Sequence, residues 1–138
     1  MPMQFRIITP MRTALEAEVS VIRVPASKGE MEVLPGHASL ITSVANGELS
    51  YTCPGQEPRS LFVGGGFLQV AEDDVLLVTD TALTVDEIDT TSVEAALERA
   101  QAAFRDGASV LDREEQAKLE AAIAKQIAIL DFRKKRRV

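Results

Sequence analysis

Turn-forming residues are concentrated in the first half of this chain, and this distribution constrains its fold more than any other feature. The last of the 6 prolines is Pro58, and only Gly107 of the 8 glycines lies beyond Gly66. Up to about residue 86, short β-branched runs alternate with Pro and Gly turns, which is typical of an antiparallel β-sandwich or barrel. These runs lie at residues 3–9, 19–24, 31–34, 40–44, 48–53, 59–63, 67–70 and 75–79.

Two glycine segments receive specific predictions within this β-rich part. Asn46-Gly47 is predicted to form a tight turn, because both residue types accept a positive φ. Gly64-Gly65-Gly66 is predicted to be a bend in a strand, where another part of the backbone approaches closely. It is not a phosphate-binding loop, because no Lys-Ser/Thr pair follows it and no helix begins there.

The pattern changes to helical periodicity beyond about residue 87. Thr91 and Glu94 have the spacing of a capping box, and Asp112 precedes a second run with helical spacing. Gly107 is predicted to end the first helix in a left-handed conformation. The sequence therefore predicts two domains, a β-sandwich over residues 1–86 and a helical hairpin over residues 87–138. The apolar seam of the hairpin is rich in Ala, so we expect its closed form to be only modestly stable.

Composition excludes several classes of function. The net charge is −6, which disfavours nucleic-acid binding. The chain has one His (His37) and one Cys (Cys53), and neither lies in a nucleophile elbow or at metal-ligand spacing, so we expect no catalytic residue, cofactor or metal. No apolar run approaches the roughly 20 residues that span a bilayer, so we expect no direct membrane insertion.

One basic cluster stands apart from this acidic background. It lies at the C-terminus and consists of Arg133, Lys134, Lys135, Arg136 and Arg137. Two interpretations are open, a solvated helix end or a docking site for an acidic partner.

Several segments, taken in order, carry a family resemblance. GEMEVLPGHASLIT (residues 29–42) closely resembles the signature G-E-x-x-x-x-P-G-H-A-x-L-x-T of the epsilon subunit of F-type ATP synthase. NGEL (46–49), VGGGFLQV (63–70) and TDTA (79–82) are similar to further segments of that family, with Gln69 in place of its usual acid. The resemblance covers essentially the whole chain.

The resemblance implies a ten-stranded antiparallel β-sandwich followed by a two-helix antiparallel hairpin. It also implies a non-catalytic subunit of the central stalk, which couples rotation of the ring of c subunits, through the gamma subunit, to the catalytic head. Such a subunit lies peripherally on the cytoplasmic face of a bacterial inner membrane and takes part in proton or sodium transport. Its C-terminal helices extend as an arm that inhibits ATP hydrolysis by the alpha/beta head.

Site residues follow from the resemblance, position by position. The ring interface is expected at Glu30, Met31 and Glu32. The gamma interface is expected at His37, Ala38, Leu40 and Thr42. Gly107 is the expected hinge of the arm, and the five basic residues are expected to touch the head. The family's ATP motif, I/L-D-x-x-R-A, matches at Ile88-Asp89, but Ser92 and Val93 replace its Arg and Ala, so ATP binding is not expected.

A second class of function fits the two-part pattern without any resemblance. It is a generic ligand-binding β-sandwich with a dimerising helical tail. This alternative predicts a concave apolar pocket with converging polar groups.

Overall fold

Strands and helices occupy separate parts of the chain in the computed structural model, which describes residues 2–107 and 110–136. The chain divides into two units, of which the first ends at Thr84 and the second begins at Val85. This division lies two residues before the predicted domain boundary.

The described part of the first unit contains eight strands. In the sheet they follow the order β2-β1-β7-β6-β5-β3-β4, and β8 pairs with β6. Neighbouring strands are antiparallel apart from β1 and β7, which are parallel. The strands are β1 (Met3–Ile8), β2 (Thr13–Val19), β3 (Val21–Ala26), β4 (Gly29–Val33), β5 (Leu40–Thr52), β6 (Arg59–Ala71), β7 (Asp74–Val78) and β8 (Ala82–Leu83).

The difference between ten predicted and eight observed strands comes from β5 and β6, which are 13 residues long each. The turn predicted at Asn46-Gly47 is wrong, because both residues lie inside β5 and Asn46 is opposite Gly64 of β6. Each long strand joins two of the short runs that the sequence suggested. Counting the two halves of each long strand separately restores the expected ten.

The two halves of these long strands belong to opposite layers. The second half of β6 pairs with β7 on one side and with the first half of β5 on the other, whereas the second half of β5 pairs with β3 and with the first half of β6. Phe5 of β1 and Tyr51 of β5 make an edge-to-face contact with ring centroids 6.4 Å apart, although their strands are not hydrogen-bonded neighbours. The sheet therefore folds over itself around one apolar core, which makes a β-sandwich.

The bend in β6 occurs at the predicted glycines. Gly65 and Gly66 have φ values of 86° and 135°, which L residues rarely adopt. A Cβ atom on Gly66 would lie 1.9 Å from the carbonyl oxygen of Val78, so only glycine fits where β6 passes β7. The predicted close approach of the backbone is confirmed.

The described part of the second unit contains a short 3-10 turn, Val85–Glu87, and the helices α1 (Thr90–Gly107) and α2 (Arg113–Arg136), which pack against each other. Asp89, rather than the predicted Thr91, caps α1. Its Oδ1 accepts the backbone N–H groups of Thr91 (3.1 Å) and Ser92 (3.3 Å), and its Oδ2 accepts the Ser92 hydroxyl (2.9 Å). The hydrogen bonds from the Ser92 hydroxyl and backbone, and then from Thr91, lower the pKa of the Asp89 carboxyl.

The predicted left-handed conformation of Gly107 is wrong. Gly107 is the last residue of α1 and its φ is not positive. A Cβ atom there would lie 3.2 Å from Cγ of Leu111, so the Leu111 side chain lies directly over Gly107. This position therefore requires the small size of glycine and not its conformational freedom.

Candidate interaction surfaces

The predicted ring-contact residues lie on β4, at one edge of the sheet. A turn at Ser27-Lys28 joins β3 to β4, and the Ser27 and Ser43 hydroxyl oxygens are 2.6 Å apart, which ties this turn to β5. Glu30 and Glu32 are exposed, whereas Met31 packs against the core. The structure therefore presents two carboxylates outward from an edge strand.

In the part of the chain that the structure describes, one ion pair restrains these two carboxylates. Glu32 Oε2 lies 3.8 Å from Nε of Arg23 on β3, and both side chains are about half exposed. Such a surface pair contributes little to stability. Both acids therefore remain accessible to another protein.

The His37 loop follows β4. Pro35 and Gly36 occupy the central positions of a turn that the His37 N–H closes by donating to the Leu34 carbonyl (3.1 Å), and Gly36 has φ 82°. His37 Nδ1 lies 2.7 Å from the Ala38 carbonyl oxygen. A carbonyl oxygen only accepts, so Nδ1 carries the proton in this bond and Nε2 is left as an acceptor. The imidazole thus bonds to its own loop.

The predicted gamma-contact residues on β5 face the same side of the sheet. Leu40 packs against the core, and Thr42 lies opposite the buried Leu68. Residues paired across strands face the same side of a sheet, so Leu40 and Thr42 face inward. Ile41 faces the other way and is 73% exposed.

Sequence reasoning missed an apolar surface on the outside of β5, β6 and β7. It consists of Ile41, Phe67 (64% exposed) and Val78 (47% exposed), and we call it the outer apolar patch. Phe67 lies directly opposite Val78, and Ile41 is diagonal to Phe67 because it pairs with Gln69. The available signal was the presence of apolar residues at consecutive positions, Leu40-Ile41 and Phe67-Leu68, which indicates strands that are apolar on both faces.

A groove of about 430 Å³ adjoins this patch. The hydroxyls of Thr9 and Thr79 are both bonded to nearby backbone, through the carbonyls of Arg12 and Thr81. These polar groups are thus not free to converge on a ligand, as the generic ligand-binding alternative requires. The groove is lined by Ile8, Thr9, Pro10, Gly64, Gly65, Gly66, Phe67, Val78, Thr79 and Asp80.

The basic cluster ends α2. Arg133 is half-buried, whereas Lys134, Lys135 and Arg136 are exposed. Arg137 lies outside the described residues. Basic residues at a helix C-terminus complement its macrodipole, so their placement has a local explanation as well as a possible contact role.

Neither described helix is long and apolar enough to cross a bilayer. No group of three His, Cys, Asp or Glu side chains in residues 2–107 and 110–136 is arranged to hold a metal ion.

The fold is thus that of a small β-sandwich protein with a C-terminal helix pair, and the features described above are surfaces for contact with other proteins.

Comparison with known proteins identifies the family of this chain. The family model for the β-sandwich domain of the ATP synthase delta/epsilon chain matches residues 2–85. The ATP synthase epsilon chain of Herpetosiphon aurantiacus is 37% identical over 132 residues, which are 94% of this chain and 96% of the relative. The ATP synthase epsilon chain of Geobacter metallireducens is 39% identical over 132 residues, which are 93% of this chain and 94% of the relative. The chain belongs to the ATP synthase epsilon-chain family, and it is a non-catalytic subunit.

Solved structures agree with this fold. A chain in the Euglena gracilis mitochondrial ATP synthase, in a structure of OSCP, F1 and the c-ring, matches with a TM-score of 0.74 and 24% identity, covering 94% of this chain and 80% of that one. A chain in a structure of the central stalk and c-ring of the Tetrahymena thermophila mitochondrial ATP synthase matches with a TM-score of 0.62 and 12% identity. The match covers 95% of this chain and 96% of that one. At these identities the likeness concerns the fold.

Proposed function

We propose that this chain sits in the central stalk of an F-type ATP synthase and couples rotation of the c-subunit ring, through gamma, to the catalytic head. It would lie at the cytoplasmic face of a bacterial inner membrane, held there by its partners. Membership of the epsilon-chain family supports this assignment. The observation that carries it is the outer apolar patch, because exposed apolar side chains that adjoin one another on a sheet mark a protein contact.

The gamma subunit is the proposed partner of the outer apolar patch. Of the four residues predicted from the sequence, His37 and Ala38 keep their place in this proposal because their loop is accessible. Leu40 and Thr42 face the core, so they would support the contact from behind. Ile41 and Phe67 would provide its apolar centre, since fully desolvated aromatic and aliphatic side chains dominate interface energetics.

The ring of c subunits is the proposed partner of the β4 edge. Glu30 and Glu32 project from it as exposed carboxylates, suited to polar or basic groups in the ring loops. A polar contact of this kind is compatible with a subunit that must attach firmly to gamma yet rest on a membrane-embedded ring.

The gamma contact is tested with Phe67→Ser in the full chain. Binding to purified gamma should weaken about thirtyfold or more, because truncating a central aromatic anchor typically costs at least about 2 kcal/mol. Val110→Ser is the matched control, since it removes an 83% exposed apolar side chain from the other unit. Unchanged gamma affinity for Phe67→Ser, with the fold intact by circular dichroism, would refute the proposed interface.

The helical unit is the proposed regulator of ATP hydrolysis. If residues 92–133 became one helix, they would span roughly 60 Å at 1.5 Å per residue, enough to reach from the foot of the stalk towards the head. The basic end of α2 would then make charge-assisted contacts with acidic segments of the alpha/beta head, weaker at high salt.

Deletion of residues 88–138 tests this regulatory role in the assembled complex. Hydrolysis should rise after deletion, and neutralising the basic cluster should raise it in the same direction. If deletion leaves hydrolysis unaltered while the complex remains assembled, the helices are not an inhibitory arm.

A further inference from the structure

The end of α1 is hydrogen-bonded to the residues that precede α2. The carbonyl of Gly107 accepts the backbone N–H groups of Val110 and Leu111, both at 2.9 Å. The bond from Leu111 has the i to i−4 spacing of an α-helix, and α2 begins at Arg113. One hydrogen bond of α-helical spacing therefore joins the end of α1 to Leu111, and Asp112 follows Leu111 directly before α2.

Asp112 acts as the N-cap of α2. Its Oδ1 accepts the backbone N–H of Glu115 at 2.8 Å, and its carbonyl accepts that of Gln116 at 3.0 Å. An N-cap residue has non-helical dihedral angles, so this bond holds the backbone out of the helix at Asp112. The Gln116 side chain reinforces the break by donating to the Leu111 carbonyl at 3.2 Å, an oxygen that a continuous helix would need for its own bonding.

We infer that Asp112 is the conformational stop that keeps α1 and α2 a hairpin and opposes their fusion into one helix. The inference rests on the proposed inhibitory arm and names the residue that sets its resting position. In a fused helix, Asp112 would lie in the interior, lose its bond to the Glu115 N–H, and occupy a position where Asp is a poor helix former. Each of these losses favours the hairpin.

Asp112→Ala should remove both effects. Loss of an N-cap side chain and the better helix propensity of Ala together shift such an equilibrium roughly tenfold to thirtyfold towards the continuous helix. Asp112→Asn keeps a capping oxygen and should shift it little. Asp106→Ala is the control for charge, because exposed Asp106 lies inside α1 and would be helical in both states.

The experiment measures distances in the assembled ATP synthase, with the full chain carrying spin labels at Gln101→Cys and Ala121→Cys. Both positions are exposed, and Cys53→Ala removes the native thiol. In a hairpin the labels sit on neighbouring helices with axes about 8–10 Å apart, whereas a continuous helix separates these residues by roughly 30 Å. The ratio of long to short distances should rise tenfold to thirtyfold for Asp112→Ala and stay near the parent value for both other variants.

Hydrolysis by the same samples separates this inference from the proposed function. Longer distances together with stronger inhibition support both. Longer distances without any change in hydrolysis support the stop but overturn the inhibitory arm. An unchanged distance ratio in Asp112→Ala overturns the stop, even if deleting residues 88–138 still relieves inhibition.

Discussion

Gly66→Ala should destabilise the β-sandwich strongly, for two separable reasons. A φ of 135° costs an L residue about 1–3 kcal/mol. The added methyl would also lie 1.9 Å from the Val78 carbonyl oxygen, 2.9 Å from its carbonyl carbon and 3.0 Å from Cα of Thr79. These are backbone atoms, so the overlap is relieved only by moving β6 away from β7, at a further cost of about 1–3 kcal/mol typical of overpacking.

Gly29→Ala is the control that isolates the second reason. Gly29 has a φ of 127°, close to that of Gly66, but a Cβ atom there would meet nothing within 4 Å. Its substitution therefore carries the conformational cost alone. The two variants should differ by about 1–3 kcal/mol in the free energy of unfolding, with Gly66→Ala the less stable.

Tyrosine fluorescence during urea unfolding provides the measurement. Tyr51 is the single Tyr, the chain has no Trp, and its ring is buried against Phe5, so its signal reports on the sandwich and not on the helices. The same midpoint and slope for the two Ala variants would show that β6 does not pass Val78 as closely as described, and the reasoning would fail.

Three further predictions concern single groups. The hydrogen bonds of the α1 cap should persist at neutral pH and weaken as the pH falls through the pKa of Asp89, which lies below its ordinary 3.8. The amide NMR shift of Ser92 should therefore titrate in this pH range and stay flat in Asp89→Asn. Calorimetry should detect no micromolar ATP binding by the full chain, because Ser92 replaces the motif Arg and Asp89 is occupied as a cap; a micromolar Kd would contradict this. Glu30→Lys should lower proton-driven ATP synthesis, whereas Glu57→Lys, which changes an exposed acid in the loop between β5 and β6, should not; equal rates would remove Glu30 from the ring interface.

Much of the fold could be predicted from the residues themselves. The period of the apolar residues separated strands from helices, because a half-buried strand alternates and an amphipathic helix does not. β1 shows this directly, since Met3, Phe5 and Ile7 are buried while Gln4 and Arg6 are exposed. The glycine bend was also predictable, because three consecutive glycines in a strand have little other structural use.

Other features depended on partners distant in sequence. Asn46-Gly47 is a good local turn signal, but pairing with Gly64 and Val63 of β6 holds these residues in a strand. The segment Asp89-Thr90-Thr91-Ser92 offers four residues able to cap a helix, and periodicity does not choose between them. The inward side of Leu40 and the outward side of Ile41 required the register with β6, since one residue of slip exchanges the two faces.

The parallel pairing of β1 with β7 has a consequence for biosynthesis. Gln4 of β1 lies beside Asp74 of β7, 70 residues later in the chain, and β1 sits between β2 and β7 in the sheet. At roughly 5–20 residues per second, a ribosome needs about 4–14 s to make the intervening segment. During that time β2 can occupy one edge of β1, but the other edge has no strand to pair with until β7 is made. This open edge of β1 is accessible to chaperones and to misassociation during synthesis, whereas β7 covers it in the finished protein.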